Sequence, residues 1–173
     1  QKGWEQPPQR SFAGLHRGFA PPRTREAITP GGQNLQLGAE SSWNLEAGIR
    51  AVRGRYLRAE AAVFHIDFQN QIVPSSQAGD VGQTGRPIVN GGRTRQAGAE
   101  VSGMIDVAPL VALPGKLAIT GALTLVDSRF TAGPFRDNRV PYTPPFTASG
   151  TWTLEHPDGL EGQVSATVVG PQF

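Results

Sequence analysis

The sequence contains no cysteine. Disulfide staples, thiolate-bound zinc and cysteine nucleophiles are therefore excluded. It also lacks any apolar run approaching the roughly 18–20 residues that a transmembrane helix requires. That absence leaves crossing by strands open, because a barrel strand needs only about 9–11 residues and alternates apolar with polar side chains. An excess of one charge is missing too. The 16 Lys+Arg stand against 14 Asp+Glu, with no run of like charges that would track a nucleic-acid backbone, so no nucleic-acid partner is expected. The three histidines, His16, His65 and His156, do not stand at metal-ligand spacing from one another. His65 and Asp67 lie two apart on one strand face, and such a pair reads as interfacial decoration more readily than as a metal site. No serine has a nucleophile-elbow setting and no glycine loop is built for phosphate. Neither metal nor cofactor is assigned, and nothing supports an enzyme.

Glycine and proline are abundant, at 22 and 15 of 173 residues, and they cluster between periodic segments. This argues for many strands joined by loops. The period is two. Between Phe146 and Leu154, the residues Phe146, Ala148, Gly150, Trp152 and Leu154 alternate with Thr147, Ser149, Thr151 and Thr153. Trp43, Leu45, Ala47, Ile49 and Ala51 alternate with Asn44, Glu46, Gly48 and Arg50. Ala97, Ala99, Val101, Gly103 and Ile105 stand against Gln96, Glu100 and Ser102, with Met104 the exception on the polar side. Lys116 to Ser128 and Glu161 to Val169 repeat the pattern. Tyr56 to Val73 is less regular, since Phe64, Ile66 and Phe68 fall in the opposite phase to Leu57, Ala59, Ala61 and Val63. A bulge is expected there. A first strand is expected around Arg10 to Arg17.

The connections alternate in length. Ala20 to Glu40, Pro74 to about Gly92 and Thr131 to Pro144 are long. Val52 to Arg55, Val107 to Gly115 and His156 to Leu160 are short, the last containing the turn pair Asp158-Gly159. Up-and-down membrane barrels show this asymmetry, with short periplasmic turns and long outer loops. The fold predicted is all-β: an antiparallel up-and-down transmembrane barrel segment of about seven strands. A soluble β-sandwich also alternates, but its strands run to about 5–6 residues, and several here are longer.

Four stretches carry a family resemblance. Arg17-Gly18-Phe19-Ala20-Pro21-Pro22 is similar to the GF.PP element that follows a barrel strand in TonB-dependent outer-membrane receptors. Ser42 to Arg50 resembles that family's S.N.E.G.R strand, Phe64 to Ile72 its F..DF.NQI strand, and Asn90 to Glu100 its N.G.T...G.E stretch. The resemblance runs from about Ser11 onward, and within the siderophore receptors the ferric-dicitrate type is the most similar. It implies the C-terminal part of a larger barrel, of about 22 strands, with the plug and remaining strands outside residues 1–173 and Phe173 a truncation point. It also implies the outer membrane of a Gram-negative bacterium and contact with its lipid and lipopolysaccharide. Uptake would be of a ferric chelate, ferric citrate by the subgroup. The TonB–ExbB–ExbD complex would pull on a TonB box in the missing N-terminal part.

The residues give this a physical form. Glu46, Arg50 and Glu100 should face a polar lumen, since on the lipid face they would be expensive. Gly48 and Gly98 should also face inward, leaving room for a neighbouring side chain or a plug. Trp43, Phe146 and Tyr56 fit aromatic girdles at the two interfaces. The outer loops carry Arg23 and Arg25, then Gln77, Arg86 and Arg93, then Arg136 and Arg139. Guanidinium forks suit carboxylates, so these are the candidate ligand-binding residues for an anionic ferric chelate. Solvated loop arginine, or arginine bound to lipopolysaccharide phosphates, is the competing reading. Two other functions remain open to the pattern: a soluble or surface β-sheet module binding carbohydrate or another ligand, and a passive porin.

Overall fold

The computed structural model describes residues 9–23, 28, 32, 34–54, 56–75, 88–133 and 135–172. Arg25, Arg55, Gln77, Arg86 and Phe173 lie outside the described residues. The elements are β1 (Gln9–Ala20), β2 (Glu40–Arg53), β3 (Leu57–Pro74), β4 (Ile88–Asp106), β5 (Lys116–Phe130), β6 (Phe146–Glu155) and β7 (Glu161–Val169), with a 3₁₀ turn at Ala108–Leu110. They form one antiparallel sheet of seven strands in sequence order. The fold is the all-β, up-and-down arrangement expected. The sheet is open, with β1 and β7 as its edges.

The short connections obey turn chemistry. Gly54 and Gly159 take positive φ, at 56° and 88°, the region where a Cβ is penalised and glycine is not. Between β4 and β5, one Asp106 carboxylate oxygen accepts the backbone N–H groups of Ala108 and Leu117, at 3.1 and 3.2 Å. That carboxylate ties the 3₁₀ turn to the start of β5.

The irregular phase in β3 has a different cause from the one expected. Register with β2 runs unbroken from Leu57 opposite Arg53 to Gln69 opposite Ser41, so no bulge separates Val63 from Phe64. The phase changes because the upper half of the strand puts its apolar side chains on the other face, with Asn44 and Glu46. Register shifts occur later, against β4, between Phe68 and Ile72, where Asn70 has φ 55°. Asn90 holds this kink. Its Nδ2 donates to Asn70 O at 2.8 Å and to Gly38 O at 2.9 Å, and its Oδ1 accepts from Gly38 N at 2.6 Å. Glu40 Oε1 accepts the Ile72 N–H at 2.7 Å. These bonds let β3 and β4 continue as a hairpin above the other strands, so β4 begins at Ile88 and the connecting loop is shorter than the pattern indicated.

Two glycines are fixed by aromatic neighbours on the polar face of the sheet. Phe12 is the cross-strand partner of Gly48, and Phe64 that of Gly98. A Cβ on Gly98 would stand 2.5 Å from Phe64 Cζ and collide with the Leu125 carbonyl oxygen. The ring takes the space that the missing side chain leaves, which is how an aromatic compensates a strand glycine. Gly150 differs, because a Cβ there would meet only Thr120 O at 3.9 Å. Gly98→Ala is therefore expected to destabilise the folded barrel by about 1–3 kcal/mol, while Gly150→Ala changes stability little. Urea unfolding of the intact protein in detergent micelles checks this, and equal midpoints for the two variants would contradict it.

Candidate functional site

Cross-strand partners point to the same side of a sheet, so the register assigns every strand residue to one of two faces. The first face collects Leu15, Trp43, Leu45, Ala47 and Ile49 with Ala59, Ala61 and Val63. It continues through Ala97, Val101 and Ile105 to Ile119, Leu123 and Leu125, and on to Trp152 and Val164. Among the described residues, this face carries no charge in the rows between those of Leu15 and Ile105, which are themselves marked by Asp127 and Arg53. Its large side chains stay in the open: Leu45 is 53% exposed, Ile49 63% and Val101 52%. An uninterrupted apolar surface of this extent marks contact with a membrane or a partner.

The opposite face carries Arg10, Asn44, Glu46, Arg50, Arg58, Glu60, Gln96, Glu100 and the threonine and serine rows of β5 to β7. Glu46, Arg50 and Glu100 thus share the face that the alternation assigned to a lumen. Arg50 and Glu60 are direct partners, with Nε 2.6 Å from Oε2, and the Arg50 guanidinium lies 6.0 Å from the Phe12 ring centre. Met104 sits with the polar residues, as its position in the pattern requires. What little side-chain core exists lies at the ends of the sheet, with Leu35, Val73 and Phe130 above and Ala108 and Ala118 below.

The loop arginines separate into two groups. Arg23 is exposed just beyond β1. Arg136 is exposed in the connection after β5, its side chain 72% accessible and its Nε 3.9 Å from Asp137. Arg93 and Arg139 are tied to the sheet instead, Arg93 within β4 and Arg139 in the β5–β6 connection where it was expected. Arg93 lies inside β4 and lines a groove with Leu15, Trp43 and Leu45, all on the apolar-facing side. Arg139 forms an isolated bridge opposite Arg129, which shares that same side. The reason is backbone pairing. Phe130 N donates to Asn138 O and Val140 N to Ser128 O, both at 3.0 Å, so residues 138–140 extend the sheet and inherit its alternation. The alternation could have revealed this for Arg93, since it has the parity of Ala97. It could not for Arg139, whose pairing is tertiary.

His65 Nε2 lies 2.9 Å from Asp67 Oδ2, so the pair is closed on itself at the upper edge of the apolar face. No cluster of three or more potential metal ligands occurs among the described residues.

The sequence matches the family described as TonB dependent receptor-like, beta-barrel, over residues 4–172. Compared with curated protein sequences, the chain has no match. Among solved structures it is similar to the ferric yersiniabactin uptake receptor FyuA from Yersinia pestis, with a TM-score of 0.74 and 22% identity over 97% of this chain. The copper transporter OprC gives 0.68 and 22% over 95%. The ferric-catecholate import receptor Fiu from K12 E. coli gives 0.67 and 17% over 94%. The chain spans only 24%, 24% and 22% of those three proteins. At such identities the likeness establishes the fold.

The two faces make opposite demands on a new charge. Val101→Arg places a guanidinium on the apolar face near mid-strand and is expected to cost about 2–4 kcal/mol, while Ser102→Arg, its neighbour on the polar face, costs little. Folding equilibria of the intact protein into lipid vesicles measure both, and equal tolerance at the two positions would refute the facial assignment.

Proposed function

The chain belongs to the TonB-dependent receptor β-barrel family, and from that premise we propose that it is one section of the wall of an outer-membrane receptor that takes up a ferric chelate. The observation that carries this is an uncharged, exposed apolar band that crosses all seven strands, backed by a polar opposite face. A soluble binding module has no use for the first, and lipid accounts for it directly.

In this reading the apolar face meets lipid and the charged face meets the lumen. The short connections 54–56, 107–115 and 156–160 are periplasmic, and the long ones are outer loops. The remaining strands, to a total of about 22, and a plug would come from other parts of the same receptor. Uptake would depend on the TonB–ExbB–ExbD complex acting on the plug, in the outer membrane of a Gram-negative bacterium. Wall residues enclose and bind. None performs a chemical step, and none needs a cofactor.

For the ligand we propose ferric citrate. The similarity of the four motif stretches to the ferric-dicitrate type supports it, as does guanidinium chemistry, since arginine forks match the carboxylates of an anionic chelate. Arg23 and Arg136 are the described candidates; Arg25 belongs to the loop of Arg23, and Gln77 and Arg86 to the connection between β3 and β4. Arg136→Ala in the intact receptor is expected to weaken ferric citrate binding about tenfold, the value of one charge-assisted contact. Equilibrium binding of radiolabelled ferric citrate to whole cells reads it. Unchanged affinity would remove Arg136 from the site. Absence of any TonB-dependent accumulation across a panel of ferric chelates would overturn the function itself.

A further inference from the structure

The β3–β4 pair rises beyond its neighbours. Pairing of β2 with β3 stops at Ser41 opposite Gln69, and pairing of β4 with β5 at Thr94 opposite Phe130. β3 and β4 nevertheless stay paired as far as Pro74 opposite Ile88. Among the described residues, their outer ends therefore form a two-stranded ribbon with no strand on either side. Such a ribbon is marginally stable in water when left alone, so this one needs a brace.

The Asn90 side-chain amide supplies it. Gly38 donates its N–H to Asn90 Oδ1 at 2.6 Å, and its carbonyl accepts from Asn90 Nδ2 at 2.9 Å. Two residues of an antiparallel ladder exchange both backbone groups in this way, so one side chain stands in for a missing strand. Asn90 Nδ2 also donates to Asn70 O at 2.8 Å, at the residue of φ 55° where β3 turns aside. Both donors and the acceptor of the amide are thus engaged. Glu40 adds a second tie, its Oε1 accepting the Ile72 N–H at 2.7 Å. The segment held by these bonds is itself folded. Ile28 bridges Asn34, Asn34 Oδ1 accepts the Gln36 N–H at 2.8 Å, and Leu35 is 2% exposed.

We propose that Asn90 is a positioning residue for ligand capture. Its amide clasps the connection between β1 and β2 to the β3–β4 ribbon, so the two present one preset surface to the ligand instead of moving as separate arms. The assignment rests on the receptor reading, which makes both connections outer loops at the mouth. The benefit is preorganisation: a ligand that meets two arms already joined does not have to order them, and the ordering cost is taken out of its affinity in advance. The bonds run to the backbone of Gly38 and Asn70, so the clasp depends on an amide at position 90 and not on the side chains it holds. A Cβ at Gly38 would stand 3.7 Å from Asn90 Oδ1, an ordinary contact that leaves the clasp intact.

The test uses the intact receptor in detergent micelles, with spin labels on single cysteines at the exposed positions Gln36 and Pro74. Pulsed electron paramagnetic resonance gives the distance distribution between them, and equilibrium binding of ferric citrate gives the affinity. A narrow distribution is expected for the unaltered clasp and for G38A. N90A should broaden it and weaken ferric citrate binding about tenfold. N90D should do the same, because the isosteric carboxylate can still accept from Gly38 N–H but cannot donate to either carbonyl. A side chain that merely filled space would tolerate that change. An unaltered distribution in N90A, or wild-type behaviour of N90D in both measurements, would overturn the clasp. A broadened distribution with unchanged affinity would overturn the positioning role. Absence of ferric citrate binding by the unaltered receptor would bring down the ligand assignment and the positioning role with it, while the distances still decide the clasp.

Discussion

Each strand meets its neighbours through antiparallel backbone hydrogen bonds, and the phase of those bonds decides which side chains face which medium. In hydrocarbon a backbone N–H or C=O without a partner is too costly to keep, so pairing has to be continuous. The side-chain period of two then makes register absolute. A slip of one residue between β2 and β3 would carry Arg58 and Glu60 onto the face that now holds Leu45 and Ile49. Pairing instead keeps Ile49 opposite Ala61, Ala61 opposite Val101 and Val101 opposite Leu123. The same phase brings Arg50 to Glu60 on the other side. Local alternation in seven separate segments becomes one wall only because each pairing preserves it.

The packing follows from that wall. An ordinary globular domain encloses its large apolar side chains, whereas here they stand exposed on one face while small polar ones are covered: Thr94 is 1% exposed and Ser128 4%. In place of a core the sheet uses local devices. Phe12 and Phe64 lie over Gly48 and Gly98, Asn90 and Glu40 hold the kink at the top of β3, and Asp106 holds the turn below. These devices sit where the ladder changes, at bulge, turn and glycine, which is where backbone groups would otherwise lose partners. The charged rows then mark the limits of the apolar band. An apolar band, a polar opposite face and charged end rows all follow from one alternation, read at different heights.

Much of this was legible in the sequence because a strand writes its environment into every second residue. Trp43 to Ala51, Ala97 to Ile105 and Phe146 to Leu154 each disclosed their two faces, and the shared polar face of Glu46, Arg50 and Glu100 followed from parity alone. The motif stretches named the family. Where reading failed, information was non-local. The phase change at Phe64 looked like an inserted residue, yet β3 simply reverses which face carries its apolar side chains above Val63. Arg139 sits in a segment with no alternation of its own and acquires a face only by pairing with Arg129. The juxtaposition of Arg95 and Arg129 is likewise invisible along the chain, since they become neighbours only through the register of β4 with β5.

The direct measurement of the central account is the environment of consecutive residues along β4. The chain has no cysteine, so single cysteines from Ala97 to Ile105 in the intact protein, spin-labelled in lipid vesicles, report one position each. Accessibility to dissolved oxygen, which concentrates in lipid, should peak at Ala97, Ala99, Val101, Gly103 and Ile105 and fall at the residues between. A smooth profile without a period of two, or peaks at Gly98, Glu100 and Ser102, would contradict it.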